Sequence, residues 1–381
     1  MNEIALQQQR TIDRVALAGS LLAAFAAAAF LAFDPVQTVA RRPAQVPAAV
    51  VPVAAVPAPA LADNSPLRSV ALPTPTWSAV SDGQWAAYVS SDDKGSPGEI
   101  VVRRLANEDW HVAYVATPGR YLGQLSLAAG LLAFEELVPA GTSGAAPTVT
   151  VKTLRIDSAE LSTIDEYLAL DLRYGEGGGY ASSSPVTDGS RVFWIHQTAM
   201  SKGGVCNEIR MRDNATGATT IVYQKMTTLG SLAVWGDTLA FTRFTEPASS
   251  AFLLDIPSRK LAAVDGFDFS VVQSAGPAGV VVTGGSFSGS AASWLVRADG
   301  TTSRLASDCY NVLANERLSA MRCATQIEIR DLATGDSLFA FAGTAGALAI
   351  FPTGVLWAEG DSLSIYEVQP LGGVFSETRP N

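Results

Sequence analysis

A β-propeller of seven four-stranded blades is the fold this sequence predicts, and three observations predict it. First, residues 209–217 read I-R-M-R-D-N-A-T-G, and 118 positions later residues 327–335 read I-E-I-R-D-L-A-T-G, six matches in nine. That offset is about three blades of roughly 40 to 45 residues each. Second, seven short apolar bursts recur along the chain, six of them led by Gly, each followed by an alternating apolar and polar segment. Third, the last unit reaches the end of the chain with only three strands, so an earlier segment has to complete it. Six or eight blades, an open repeat array and a pair of sandwiches are the competing arrangements.

Taken in order, residues 1–14 form a short cytoplasmic tail with Arg10 and Arg14 near its end. Residues 15–33 then run nineteen positions without a charge. At about 1.5 Å per residue such a helix crosses most of a ~30 Å hydrocarbon core, so this is read as a transmembrane helix or signal anchor. A cleaved signal peptide is the alternative, because residues 26–32 offer small side chains at cleavage spacing. Residues 34–65 hold Pro35, Pro43, Pro47, Pro52, Pro57 and Pro59 in Ala and Val. Such chain is a disordered, extended tether in the polyproline II regime.

The propeller is expected over residues 66–370, with a tail at 371–381. Its second strands are read at 83–89, 130–134, 189–195, 236–241, 279–283, 315–321 and 354–358. Third strands follow at 100–103, 149–153, 209–212, 251–254, 293–297, 327–330 and 364–368. The Asp-Gly and Gly-Asp pairs ahead of several bursts are tight-turn chemistry, since Gly accepts positive φ without a steric cost. Alternation of Ile209 and Met211 with Arg210 and Arg212 gives one buried and one wet face. Only the acidic stretch 158–173 leaves room for a helix. Residues 67–72 are placed to supply the missing outer strand and close the ring, a device that removes sheet edges.

In a meander of this kind the turns between first and second and between third and fourth strands share one face. These are short, as at Asp82-Gly83 and 213–217. The opposite face receives longer connections at 90–98, 137–147, 197–207, 243–249 and 284–292, together with the crossing at 174–180. Elaborated loops on a rigid frame commonly carry binding. Position alone makes Asp92, Asp93, Lys94, Lys202, Arg243 and Glu246 the polar candidates there, with Tyr174 and Tyr180 the aromatic ones.

The chain has 36 acidic and 26 basic residues, a formal charge of -10, and no Lys/Arg cluster. That excludes nucleic acid as an expected partner, because phosphate binding needs concentrated positive charge. Three cysteines are present. A hairpin centred near Glu316 would set Cys309 opposite Cys323, where register decides between a disulfide and two thiols. No metal or cofactor is expected, because two histidines, His111 and His196, and no C-x-x-C pair leave too few ligands. His196, at a strand end, reads as a satisfied blade residue rather than a general base. Residues 285–289 read G-S-F-S-G, with Phe where a nucleophile elbow needs Ser.

Residues 77–92, W-S-A-V-S-D-G-Q-W-A-A-Y-V-S-S-D, resemble the WD-like propeller repeat of the TolB family, whose units carry an S-P-D-G turn and an apolar strand. Here Ala79-Val80-Ser81 leads into the turn without the Pro. Residues 185–197 and the two R-D-x-A-T-G turns are similar to the same bacterial repeats. The resemblance implies a propeller and no particular ligand. It does not reach the separate N-terminal α/β domain of that family, whose place the membrane segment and tether take.

The expected protein is therefore a single-pass, membrane-tethered propeller on the extracytoplasmic side, or a secreted one after signal cleavage. Its expected role is non-catalytic binding or scaffolding of a protein or peptide in the cell envelope. The alternative is a propeller enzyme, a lyase or hydrolase of glycan or peptide, with two carboxylates converging roughly 5 to 10 Å apart at the channel mouth.

Overall fold

The structure, a computed structural model, describes residues 67–368 apart from 73–75, 92–96, 107–109, 139–146, 170–182, 200–204, 246–247, 287–290, 344–346 and 360–361 and positions 308 and 324. The expected membrane segment, the tether and the C-terminal tail lie outside the described residues.

Among the described residues twenty-eight strands form seven antiparallel four-stranded sheets. β1 (Leu67–Ala71) comes first, and blade 1 follows as β2 (Thr76–Ser81), β3 (Trp85–Ser91), β4 (Pro97–Arg104) and β5 (Trp110–Val115). Blade 2 is β6 (Tyr121–Ala128), β7 (Leu131–Val138), β8 (Thr148–Arg155) and β9 (Glu160–Leu168). Blade 3 is β10 (Val186–Thr187), β11 (Arg191–Ala199), β12 (Val205–Asp213) and β13 (Thr219–Lys225). Blade 4 is β14 (Thr228–Trp235), β15 (Thr238–Thr245), β16 (Ala248–Asp255) and β17 (Leu261–Ala263). Blade 5 is β18 (Phe269–Gly276), β19 (Gly279–Gly285), β20 (Ala292–Val296) and β21 (Thr302–Ser307). Blade 6 is β22 (Cys309–Ala314), β23 (Leu318–Cys323), β24 (Gln326–Asp331) and β25 (Ser337–Ala342). Blade 7 holds β26 (Ala347–Phe351), β27 (Gly354–Glu359) and β28 (Ser362–Glu367), and β1 supplies its outer strand, pairing with β28 from Leu67 and Tyr366 to Ala71 and Ser362.

The core is not one mass but seven apolar clusters, one in each seam between neighbouring blades. Side chains alternate across a strand, so a middle strand feeds two seams at once. In β11, Val192 and Trp194 enter the blade 2–3 seam while Phe193 and Ile195 enter the blade 3–4 seam. A strand buried on both faces reads as an unbroken apolar run instead of an alternating one. That is why the second strands stood out in the sequence. Outer strands have one wet face, and β9 carries the acidic residues of the stretch that left room for a helix. It is a strand, because its ladder with β8 satisfies the backbone while Tyr167 and Ile164 reach the seam cluster.

The repeated R-D-x-A-T-G segment is the turn from third to fourth strand. Asp213 Oδ1 accepts from Thr216 N at 2.8 Å and Gly217 N donates to Asp213 O at 2.8 Å, and Asp331 closes Gly335 in the same way. Gly217 and Gly335 have φ of +71° and +77°. Blades 2 and 4 place Ala159 and Arg259 at the equivalent position with φ of 52° and 59°, where a side chain is strained.

The turns from first to second strand tie blades together around the same face. Asp82 Oδ1 takes Gln84 N and Trp85 N, and its Oδ2 takes Gly130 N of blade 2 at 2.8 Å. Arg191 of blade 3 reaches Gly236 O at 2.5 Å and Asp237 at 3.1 Å in blade 4. Asn315 of blade 6 holds its own turn through Oδ1 and donates from Nδ2 to Phe351 O of blade 7 at 2.7 Å. Cys309 and Cys323 are register partners at the opposite end of the β22–β23 pair and form a disulfide.

Candidate binding face on blades 2 to 4

Connections between second and third strands, and links from one blade to the next, share the face opposite these turns. Several are shorter than their sequence suggested. Strands β11 and β12 pair out to Ala199 and Val205, and β15 and β16 pair out to Thr245 and Ala248. Cross-strand pairing satisfies backbone groups that a loop would leave to solvent. Arg243 therefore stands on a strand, near the mouth of the blade 3–4 seam. Asp92, Asp93, Lys94, Tyr174, Tyr180, Lys202 and Glu246 lie outside the described residues.

Toward this loop face the seams flanking blade 2 change from apolar to ionic. Glu135 and Glu136 are neighbours on β7, both fully buried, and point into opposite seams. Glu136 faces blade 1. It accepts from Thr117 N at 2.6 Å and Tyr114 Oη at 3.0 Å, and it pairs with Lys152 Nζ at 2.8 Å and Arg120 at 3.5 Å. Burial works to raise the Glu136 pKa, but Lys152, Thr117 and Tyr114 overcome it and hold the carboxyl below its ordinary range. Lys152 is the mirror image: burial opposes its charge, while Glu136 and Tyr114 hold its pKa above the usual lysine value. Arg120 also donates to Thr150 Oγ1 at 2.9 Å, which in turn reaches Glu166 at 3.0 Å.

Glu135 faces blade 3, where its Oε2 accepts both the N–H and the hydroxyl of Ser183 at 2.6 Å. The inner strand of blade 2 lies directly on this carboxylate. A Cβ at Gly123 would stand 2.3 Å from Glu135 Oε1, so any side chain there would displace Glu135. Further out in the same seam, Asp165 Oδ2 gathers Trp194 Nε1 at 2.6 Å, His196 Nδ1 at 2.7 Å and Arg210 Nη1 at 3.4 Å. An ionised carboxylate only accepts, which assigns the proton to His196 Nδ1. These bonds outweigh burial and hold the Asp165 pKa below normal. Arg210 is shared with Glu208 at 2.8 Å, and the Tyr167 ring lies 4.6 Å from that of His196 while its hydroxyl donates to Ile195 O. Burial, then the charges of Glu135 and Asp165, push the Tyr167 pKa well above 10.0.

Chemically, each of these carboxylates is met by donors from at least two elements. Glu135 and Glu136 diverge, Arg210 stands between Asp165 and Glu208, and Arg120 stands between Glu136 and Glu166. His196 has its ring engaged, as expected, but it lies inside β11 rather than at a strand end, because pairing with β12 continues to Ala199. Glu135, Glu136, Lys152, Asp165 and Arg210 escaped the sequence reading, because Glu135, Glu136, Lys152 and Asp165 find their partners, Arg210 among them, in other blades or strands. Among the described residues no group of His, Cys, Asp and Glu is arranged to hold a metal ion, and no helix is long and apolar enough to cross a membrane.

No family model matches the chain, and no curated protein does. Solved structures match it as propellers. One of two prolyl endopeptidases superposes with a TM-score of 0.54 at 13% identity, over 78% of this chain and 51% of that one, so this chain spans about half of the peptidase. An oligogalacturonate lyase in complex with manganese gives 0.52 at 12%, over 79% and 91%. A chain of the mitotic checkpoint complex gives 0.52 at 11%, over 84% and 100%. TolB is among the neighbours as well, and no narrower family is marked out. At these identities the likeness speaks for the fold alone, and with the sheet order above it makes this chain a seven-bladed β-propeller.

Proposed function

We propose that this chain is a membrane-tethered, extracytoplasmic propeller that docks a protein or peptide on the loop face of blades 2 to 4, without catalysing a reaction. The observation that carries this reading is the difference between the two faces. The turn face is tied by bonds from blade to blade, whereas the loop face carries an ionic frame at the two seams flanking blade 2 and the half-buried Arg243 at the next seam. A frame whose charges are already paired holds strands in register and presents their outer ends unchanged. Met226, in the link between blades 3 and 4, is 60% exposed on this face and offers a deformable apolar contact. A disulfide in blade 6 supports an oxidising compartment. The matched chain of the mitotic checkpoint complex supports the reading only as a propeller within a protein assembly.

Photo-crosslinking in native membranes tests this. A crosslinking residue at Met226, on the loop face, is expected to give discrete adducts that re-form with the purified partner. The same residue at Trp235, 49% exposed on the turn face, is expected to give none. Equal capture at both positions overturns the assignment of the face. Turnover of a pectic or peptide substrate by the purified chain overturns the non-catalytic reading.

A further inference from the structure

Three positions on the blade 3–4 seam have chemistry that the fold leaves unused. Arg243 on β15 alternates with Phe241, which enters this seam, so its side chain points toward blade 3. Its guanidinium lies 4.1 Å from the Phe252 ring centroid. Phe252 stacks on Phe241 at 5.7 Å, and Phe241 meets Tyr223 at 4.7 Å, so the cation caps a fixed aromatic ladder. A guanidinium carries five N–H donors. Among the described residues one long bond is formed, from Nη1 to Tyr223 Oη at 3.4 Å, and the buried Nε has no acceptor. No carboxylate pairs with Arg243 among the described residues, in contrast to Arg210 with Glu208 and Arg120 with Glu136.

The surroundings repeat the pattern. Asn207 on β12 shares the face of Ile209 that looks onto blade 4, and its Nδ2 donates to Thr227 O at 3.0 Å. Its Oδ1 is buried without a donor, and so is Thr227 Oγ1. Buried polar atoms are nearly always satisfied, so the Arg243 Nε–H calls for an acceptor and Asn207 Oδ1 for a donor, both of which a peptide carries. Lys225, exposed and in register with Asn207, adds a second positive charge. In a chain of net charge -10, Arg243 and Lys225 are two cations that the described residues contribute to this seam.

We infer that Arg243 is the carboxylate-reading residue of the docking face, taking an acidic group of a bound peptide on its outer N–H edge, with Tyr223 beside it. The inference rests on the docking reading above. Stacking on Phe252 fixes the plane of the guanidinium, which is what two-point recognition of a carboxylate requires and what a lysine cannot supply.

The test uses the full chain in detergent, labelled with 15N-arginine, and two hexapeptide libraries that differ only in a fixed central Glu or Gln. Each library is made with a free and with an amidated C-terminus. The Glu library is expected to bind and to move the Arg243 Nε–H signal, with the Gln library at least about tenfold weaker, the scale of a hydrogen bond to a charged group. Arg243→Lys is expected to erase the difference between libraries. Tyr223→Phe, which keeps the ring, is expected to reduce it, and this reading survives even if Arg243→Lys folds poorly. Binding by the Gln library only when its C-terminus is free still supports a carboxylate reader and identifies its source as the chain end. Equal binding of Glu and Gln libraries in both terminal forms, unchanged in Arg243→Lys, overturns the inference while leaving the docking face intact. No binding by any library, together with no adduct at Met226, overturns both.

Discussion

Leu67 and Tyr366 are register partners, so the first described strand of the domain is zipped onto the last. A ring closed in this way covers the outer edge of β28, and the two ends of the domain hold each other.

Removing residues 1–72 is therefore expected to cost on the order of 5 kcal/mol, from five backbone-paired positions and the packing they carry. For a domain of this size that is roughly 10 °C in Tm. A synthetic strand spanning residues 66–72 added in trans should recover part of the loss. Unchanged thermal unfolding of the truncated chain would show that β28 needs no partner.

Asn315→Ala should destabilise by about 1 to 3 kcal/mol, because it strands the turn amides of Arg317 and Leu318 and the carbonyl of Phe351 in the next blade. Asn315→Asp keeps the acceptor but loses the donor, so it is expected to retain only part of the stability. Urea denaturation of the three proteins gives the comparison, and an Asp variant as stable as wild type would remove the inter-blade bond from the account.

Ala159→Gly and Arg259→Gly are expected to raise stability by up to about 1 kcal/mol, by relieving positive φ at the fifth position of the turn from third to fourth strand. Gly335→Ala, made in the opposite direction, should lower it by about as much. Equilibrium unfolding in urea decides the matter, and destabilisation by both glycine variants would refute the strain argument.

Acid should weaken this protein through its seams. Glu136 and Asp165 have folded pKa values below the ordinary carboxylate range, so the unfolded chain binds more protons and the contribution is full above about pH 4 to 5. It is lost as the pH falls through the folded values. Lys152 runs the other way, since its raised pKa gives a contribution present at neutral pH and lost only in strong alkali. Glu136→Gln should cost about 3 kcal/mol at pH 7 by leaving Lys152 unpaired. It should also flatten the acid limb of Tm against pH, and an acid limb parallel to that of wild type would count against Glu136.

Reducing the Cys309–Cys323 bond is expected to cost about 3 kcal/mol, the chain-entropy value for a loop of this length, at a sequence separation of 14. Wild type in reductant and Cys309→Ala with Cys323→Ala should then unfold at similar urea concentrations, both below the oxidised protein. Coincident midpoints for oxidised and reduced chains would contradict this.

What the sequence by itself determined is the repeat: the strands, their order, the closing segment and the two kinds of turn. These follow from local rules, since Asp213 to Gly217 closes on itself and the β7 run is apolar because both of its faces are buried. Even the pairing of Cys309 with Cys323 could be drawn from hairpin symmetry. What only the tertiary structure decided is which charges meet. Asp165 and His196 are 31 positions apart, and Glu135 and Ser183 are 48 apart, so no local pattern links them. Strand limits moved for a related reason. Pairing across the hairpin drew Arg243 out of a supposed loop and onto β15, where Phe252 and Tyr223 fix it. Backbone chemistry is short-ranged and legible along the chain, whereas a seam is made by two blades and exists only once the ring has closed.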